Sequence, residues 1–331
     1  MGVDDPPPAY DSIVRDICAQ TDEVREGTMF PGRNVSDQER RQFLGTLDLP
    51  PGVQEAILES CSNFPLRIWV IDNSGSMITG DGHKLVTLPL AATVVSNSNE
   101  ATTTRCAPFW KCGAPAEEEM TVPESQLPVA HALGKGREVL EPCTRWGELA
   151  DTIIWHAKLA AYLGAPTEFR LLNAPGGGGS QVIHCGVGDP AAELAQVERM
   201  VRSDPSGRTP LCHQISQVVW RIKEEAAQLR AIGKKCVLLI ASDGAATDGE
   251  IHVAMLPLRD LPVWTVVRLC TDDQTVVEYW NNIDEDLELD MDVLDDLCGE
   301  AREVSTGGNG WLTYGAPLHR LREWGSSRRV L

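Results

Sequence analysis

Short β-rich runs, each ending in polar loop residues and separated by segments with helical spacing, constrain this chain more than any other feature. Leu66-Arg67-Ile68-Trp69-Val70-Ile71 ends at Asp72, and the run 236–241 ends at Ser242-Asp243-Gly244. Further strands are expected at 167–172, 181–186, 263–269 and near Trp311-Leu312-Thr313. Between them, Leu149, Ile153, Ala157 and Ala160 line one face of a helix over 145–163. A second helix is expected over 191–201. The strongest pattern is Leu211, Ile215, Val218, Ile222, Ala226 and Leu229, spaced by three and four behind Thr209-Pro210. Thr271-Asp272-Asp273-Gln274 opens another helix, and one more is expected from Pro317 to Trp324. Strands that alternate with helices require crossovers. The predicted fold class is therefore α/β: a doubly wound, mostly parallel, Rossmann-like sheet with helices on both faces.

Three segments fall outside this rhythm. Residues 1–63 read as an N-terminal helical extension, in which Ser36-Asp37-Gln38-Glu39 forms a capping box and 53–58 follows Pro50-Pro51 as a second short helix. Residues 64–325 form the α/β domain, interrupted at about 97–142 by a Pro-, Gly- and Thr-rich insertion between the first strand and its helix. Residues 326–331 are a tail. Within the extension, Pro7-Pro8-Ala9-Tyr10 matches the Pro-Pro-x-Tyr peptide of WW-domain ligands, although proline-rich termini are common without that role.

Charge narrows the partner classes. The 331 residues carry 29 basic and 48 acidic side chains, a net charge of −19, which disfavours nucleic acid and anionic membrane surfaces. A cation or a basic protein face suits it better, though such charge also serves solubility alone. The start lacks the n- and h-regions of a secretory leader, and no apolar run is long enough for a membrane span, so a cytoplasmic location is expected. On that expectation the ten scattered cysteines read as reduced thiols.

In a parallel sheet, ligands bind at the carboxyl ends of the strands. There the sequence places Asp72, Ser74 and Ser76 after one strand, Asp243 after another, and Thr209 on a neighbouring loop. Two carboxylates and three hydroxyls form an all-oxygen set suited to a hard divalent cation. Gly75 permits the sharp turn that lets Ser74 and Ser76 converge. Each part also has a simpler reading. Asp-x-Ser-x-Ser occurs by chance, Thr209-Pro210 is a good helix start, and Asp243-Gly244 is an ordinary turn. Their coincidence at one sheet edge is what those readings leave unexplained.

The order Ile68-Trp69-Val70-Ile71-Asp72-Asn73-Ser74-Gly75-Ser76-Met77, then Gly207-Arg208-Thr209-Pro210-Leu211, then Leu238-Leu239-Ile240-Ala241-Ser242-Asp243-Gly244 resembles the von Willebrand factor A (VWA) family. The resemblance spans roughly 64–325. It implies a metal-ion-dependent adhesion site holding Mg²⁺, with Mn²⁺ or Ca²⁺ as substitutes. Ser74, Ser76 and Thr209 would supply hydroxyls, with Asp72 and Asp243 bound directly or through water. An acidic side chain of a protein partner would complete the shell, so the chain is expected to be a binding module and not an enzyme. Arg208, where small residues are more usual in the family, and the insertion beside the metal loop are the two departures from the pattern.

Two rival functions compete with this one. A metal-dependent phosphatase would use Asp72 as nucleophile, but that chemistry wants a second carboxylate two residues on, where Ser74 stands. A scaffold with a vestigial site is the other. Among lesser candidates, Asp248 and Glu250 read as a solvated loop, as does the acidic run 284–292, which lacks the glycine of an EF-hand. Cys106, Cys112, His131 and Cys143 match no standard zinc spacing. The glycines at 176–179 read as a hairpin tip, and His156 as a packed side chain.

Overall fold

The computed structural model describes residues 32–88, 137–271, 273–287, 289–306 and 314–325. Two helices lead in, α1 (Asp37–Gly45) and α2 (Pro51–Asn63). The Ser36 hydroxyl accepts from Glu39 N, and the Glu39 carboxylate accepts from Ser36 N at 2.8 Å, so the capping box forms as the sequence requires. Strand β1 (Arg67–Ile71) follows, then a 3₁₀ turn over Gly75–Ile78 and an antiparallel ribbon of β2 (Gly82–Leu88) and β3 (Arg137–Cys143). The chain continues through α3 (Arg145–Leu163), β4 (Thr167–Leu171), β5 (Val182–Cys185), α4 (Pro190–Val201) and α5 (Leu211–Ala231). It then forms β6 (Cys236–Ser242), α6 (Ile251–Met255), β7 (Val263–Leu269), α7 (Gln274–Leu287), β8 (Met291–Leu294), α8 (Leu297–Thr306) and α9 (Ala316–Glu323).

The central sheet has the order β5-β4-β1-β6-β7-β8 and is parallel except for β5, which runs antiparallel to β4 after a glycine turn at Gly176–Gly178. Alternate residues of each central strand feed two separate cores. Trp69, Ile71, Val237, Leu239 and Phe169 pack with α1 to α4 and α9, whereas Ile68, Val70, Leu238 and Ile240 pack with α5, α6 and α7. This is a doubly wound α/β sheet covered on both faces, and its two middle strands, β1 after Arg67 and β6 up to Ser242, are continuous apolar runs because neither face meets water. No helix among the described residues is long and apolar enough to cross a membrane.

The acidic run at 284–292 is not a solvated loop. It straddles the end of α7 and the start of β8, and Asp292 is buried against Arg322, whose Nη2 donates to Asp292 Oδ1 at 3.1 Å. An arginine thirty residues downstream makes a buried aspartate tolerable there, and local composition cannot show that. The expected strand at 311–313, the Pro7–Tyr10 motif, and Cys106, Cys112 and His131 lie outside the described residues. Cys143 is a free thiol at the end of β3.

Candidate functional site

The strand order reverses between β1 and β6: the chain leaves β1 toward β4 on one side and returns to β6 on the other. A crevice opens at the carboxyl ends of two strands that diverge in this way. Ile71 pairs with Ala241 in register, and Asp72 N donates to Ala241 O at 2.9 Å, so Asp72 and Ser242 emerge side by side. The expected residues gather at this point.

Asp72 is fully buried, and both its oxygens are engaged. Oδ1 accepts from Ser74 N at 2.8 Å and Oδ2 from the Ser242 hydroxyl at 2.7 Å. Burial pushes its carboxyl above the usual range, and the nearby charge of Asp243 adds to the effect, against the pull of those hydrogen bonds. The 3₁₀ turn then brings the serine hydroxyls together, Ser74 Oγ lying 3.0 Å from Ser76 Oγ. Ser76 Oγ donates to Asp243 Oδ1 at 2.9 Å, and Arg145 Nη1 donates to Asp243 Oδ2 at 2.9 Å. Four of the five expected side chains therefore form one continuous hydrogen-bonded path.

Thr209 sits on the adjoining loop. That loop is fastened to the first by Gly75 N to Gly207 O at 3.1 Å and Ser206 N to Asn73 O at 2.8 Å. Gly207 has φ +90, and a Cβ there would meet Asn173 Oδ1 at 3.0 Å, so a side chain would be both strained and crowded. Asn73 and Asn173 lock the floor: Asn73 Nδ2 donates to Asn173 O, and Asn173 N donates to Asn73 Oδ1.

The ordinary explanation for Thr209 fails on geometry. Helix α5 begins one residue later than a Thr209 cap would require, with Pro210 at the N-cap position and no side-chain cap of its own. The free N–H groups of Cys212 and His213 are satisfied instead by Asp248, at 3.0 and 2.8 Å, from the loop after β6. Asp248 thus acts as a cap supplied from a distant part of the chain, and no hydrogen bond from the Thr209 hydroxyl occurs among the described residues. Asp248→Ala is expected to lower stability by about 1 kcal/mol, and Thr209→Ala by clearly less. Urea unfolding of both variants measures the difference, and equal losses would return the capping role to Thr209.

Sequence reasoning missed Arg145, Ser242, Asp81 and the asparagine pair. Arg145 is the first residue of α3 and stands between two carboxylates: Nε and Nη2 donate to Asp81 Oδ1 and Oδ2 at 2.7 and 2.6 Å, while Nη1 reaches Asp243. Those hydrogen bonds hold the Asp81 carboxyl below the usual carboxylate range. A strand-end Asp243 is visible as chemistry in the sequence, but an arginine 98 residues away that neutralises it is not.

The donor set fits a hard divalent cation. An octahedral ion with bonds of about 2.0–2.1 Å holds neighbouring ligand oxygens about 2.9 Å apart. Ser74, Ser76 and Asp243 already present oxygens at 3.0 and 2.9 Å. No cluster of three or more His, Cys, Asp or Glu side chains suited to a metal occurs among the described residues; this site combines two carboxylates with hydroxyls instead. Comparison with known families and with curated proteins finds no match to this chain.

Proposed function

We propose that the chain is a VWA-type, divalent-cation-dependent protein-binding module. The observation that carries this reading is the Ser74–Ser76–Asp243 path at the β1/β6 crevice, with oxygens at the separations an octahedral ion needs. Ser74, Ser76 and Thr209 would offer hydroxyls and Asp243 an oxygen. The two oxygens of Asp72, each with a lone pair beyond its present hydrogen bond, would accept a hydrogen bond from metal-bound water or coordinate the ion directly. Mg²⁺ fits a set with few carboxylates, with Mn²⁺ or Ca²⁺ as substitutes. When bound, the cation supplies a coordination position open to an acidic side chain of a partner, giving a directional bond that charge alone lacks.

The rim supports a protein partner. Ile78, two residues beyond Ser76, is 62% exposed, and Met77 between them is buried. Arg208, next to Thr209, is exposed, so a partner carboxylate arriving at the site meets an apolar contact and a positive charge despite the acidic chain. The hydrolase reading gains nothing, because the side chain two residues after Asp72 is a serine bonded to Ser76 and not a carboxylate.

Calorimetric titration of metal-stripped protein with Mg²⁺, Mn²⁺ and Ca²⁺ tests the reading. We expect about one equivalent bound by the wild type and a loss of at least about a hundredfold in affinity when Ser74 and Ser76 are both changed to alanine, equivalent to about 2.7 kcal/mol. Wild-type protein that takes up no cation would sink the proposal. Mg²⁺-dependent turnover of a phosphate ester, abolished by Asp72→Asn, would replace it with the hydrolase.

A further inference from the structure

The root of the β2–β3 ribbon is tied to the first turn of α3 at several points. Arg145 N donates to Thr79 O at 2.9 Å, and His83 N donates to Glu148 Oε2 at 2.8 Å. A Cβ on Gly82 would stand 2.7 Å from Thr144 O, so the first residue of β2 lies directly against the backbone that precedes α3. Asp81, one residue before β2, grips the Arg145 side chain through both carboxylate oxygens. The remaining guanidinium nitrogen holds Asp243.

All three nitrogens of the Arg145 guanidinium are therefore committed, two to the ribbon root and one to a candidate cation ligand. A planar fork held at two points has little freedom at the third. The electrostatic consequence has a definite sign. Arg145 places a positive charge one hydrogen bond from an oxygen expected to serve a divalent ion, and that charge opposes the ion. Asp81 compensates it. Removing Asp81 leaves the opposition uncompensated, whereas removing Arg145 abolishes it and frees Asp243 Oδ2.

We propose that Asp81 sets the cation affinity of the Asp72–Ser74–Ser76–Asp243 site through Arg145, making the ribbon root a regulatory lever on that site. The inference rests on the reading of the site as a cation centre. A partner that draws Asp81 away from Arg145 weakens the hold on the ion, and one that clamps the ribbon against α3 preserves it. Arg145 is a positioning residue here, acting through Asp243.

The test is a double-mutant cycle read by Mg²⁺ titration of the full chain: wild type, Asp81→Asn, Arg145→Gln and the double variant. Asp81→Asn is expected to weaken Mg²⁺ binding about fivefold or more, and Arg145→Gln to tighten it by a similar factor. In the Arg145→Gln background the Asp81→Asn change should shift affinity by less than about twofold. Asp81→Glu should restore much of the wild-type value. Structural damage would weaken binding in both single variants, so the opposite signs separate coupling from misfolding, and thermal melts of each variant check the fold. Cation binding by the wild type with an Asp81→Asn loss that is absent, or equal in both backgrounds, overturns this inference alone, as does weaker binding by Arg145→Gln. A wild type that binds no cation overturns the functional reading together with it.

Discussion

Asp72→Asn will make the metal-free protein more stable at neutral pH while leaving it unable to hold a divalent cation. Asp72 is completely excluded from solvent, and no Lys, Arg or His forms an ion pair with it among the described residues. Its two hydrogen bonds, from Ser74 N and the Ser242 hydroxyl, only partly offset the cost of a buried anion. Asp243 adds a like charge nearby. Asparagine is isosteric, its oxygen can still accept from Ser74 N, and its NH₂ can donate to Ser242 Oγ. The neutral side chain removes the desolvation cost without opening a cavity. We expect a gain of about 1–2 kcal/mol, seen as a melting point higher by roughly 2–8 °C in chelator-treated protein. Saturating Mg²⁺ should then raise the wild-type melting point and leave the variant unmoved, because a ligand that binds only the native state adds about 2.7 kcal/mol at a hundred times its Kd. A lower melting point for the metal-free variant would instead make Asp72 a structural anchor of the β1–β6 junction.

Much of the fold was legible because its signals are local. The helix expected over 145–163 is α3, with Thr144 accepting from Gly147 N at its start and Gly164 at φ +63 closing it. The α/β alternation required a parallel sheet, and five of the six central strands are parallel partners. The glycine run at 176–179, which reads as a hairpin tip, does turn the chain back into the antiparallel β5, whereas the β2–β3 ribbon was not legible, because its two strands pair across a long intervening stretch of sequence. The candidate site divides in the same way. Asp72, Ser74, Ser76 and Asp243 are neighbours in short strand-end motifs, so their convergence follows from the register of β1 with β6. The cap on α5 comes from Asp248, and the counter-charge for Asp243 comes from Arg145. Both partners are set by packing between elements distant in the chain, and the sequence offers no periodicity that would pair them.

The same limit hides a buried ionic network beneath α9, and Glu323→Ala should be strongly destabilising. Glu323 has no solvent exposure at its side chain. His156 Nε2 lies 3.0 Å from its Oε2, while Arg268 Nε and His319 Nε2 lie 3.4 and 3.5 Å from Oε1. His156 is stacked on Trp324, with ring centroids 5.7 Å apart, and lies 4.7 Å from Trp69, so it has no path to water. Burial pushes the His156 pKa down, against the pull of Glu323, and the ring stays neutral with Nε2–H donating. Burial pushes Glu323 up, but the charge of His319 and the hydrogen bond from His156 outweigh it and keep the carboxyl well below its usual range. Alanine would leave Arg268, itself 2% exposed, with Glu148 as its one remaining ion-pair partner among the described residues. Removing one member of a buried charge pair costs about 3–5 kcal/mol, and a loss below about 1 kcal/mol in urea unfolding would show that the network is solvated. The pH dependence follows from the same two directions. An unfolded His156 takes up a proton below about pH 6.5 that the native ring resists, so stability falls as pH drops through that region. Glu323 contributes stability fully above the unfolded carboxyl value of about 4.3 and loses it only as pH falls through its lower native value. His156→Gln should therefore flatten the decline between pH 7 and 5 while leaving the steeper loss below pH 4 in place.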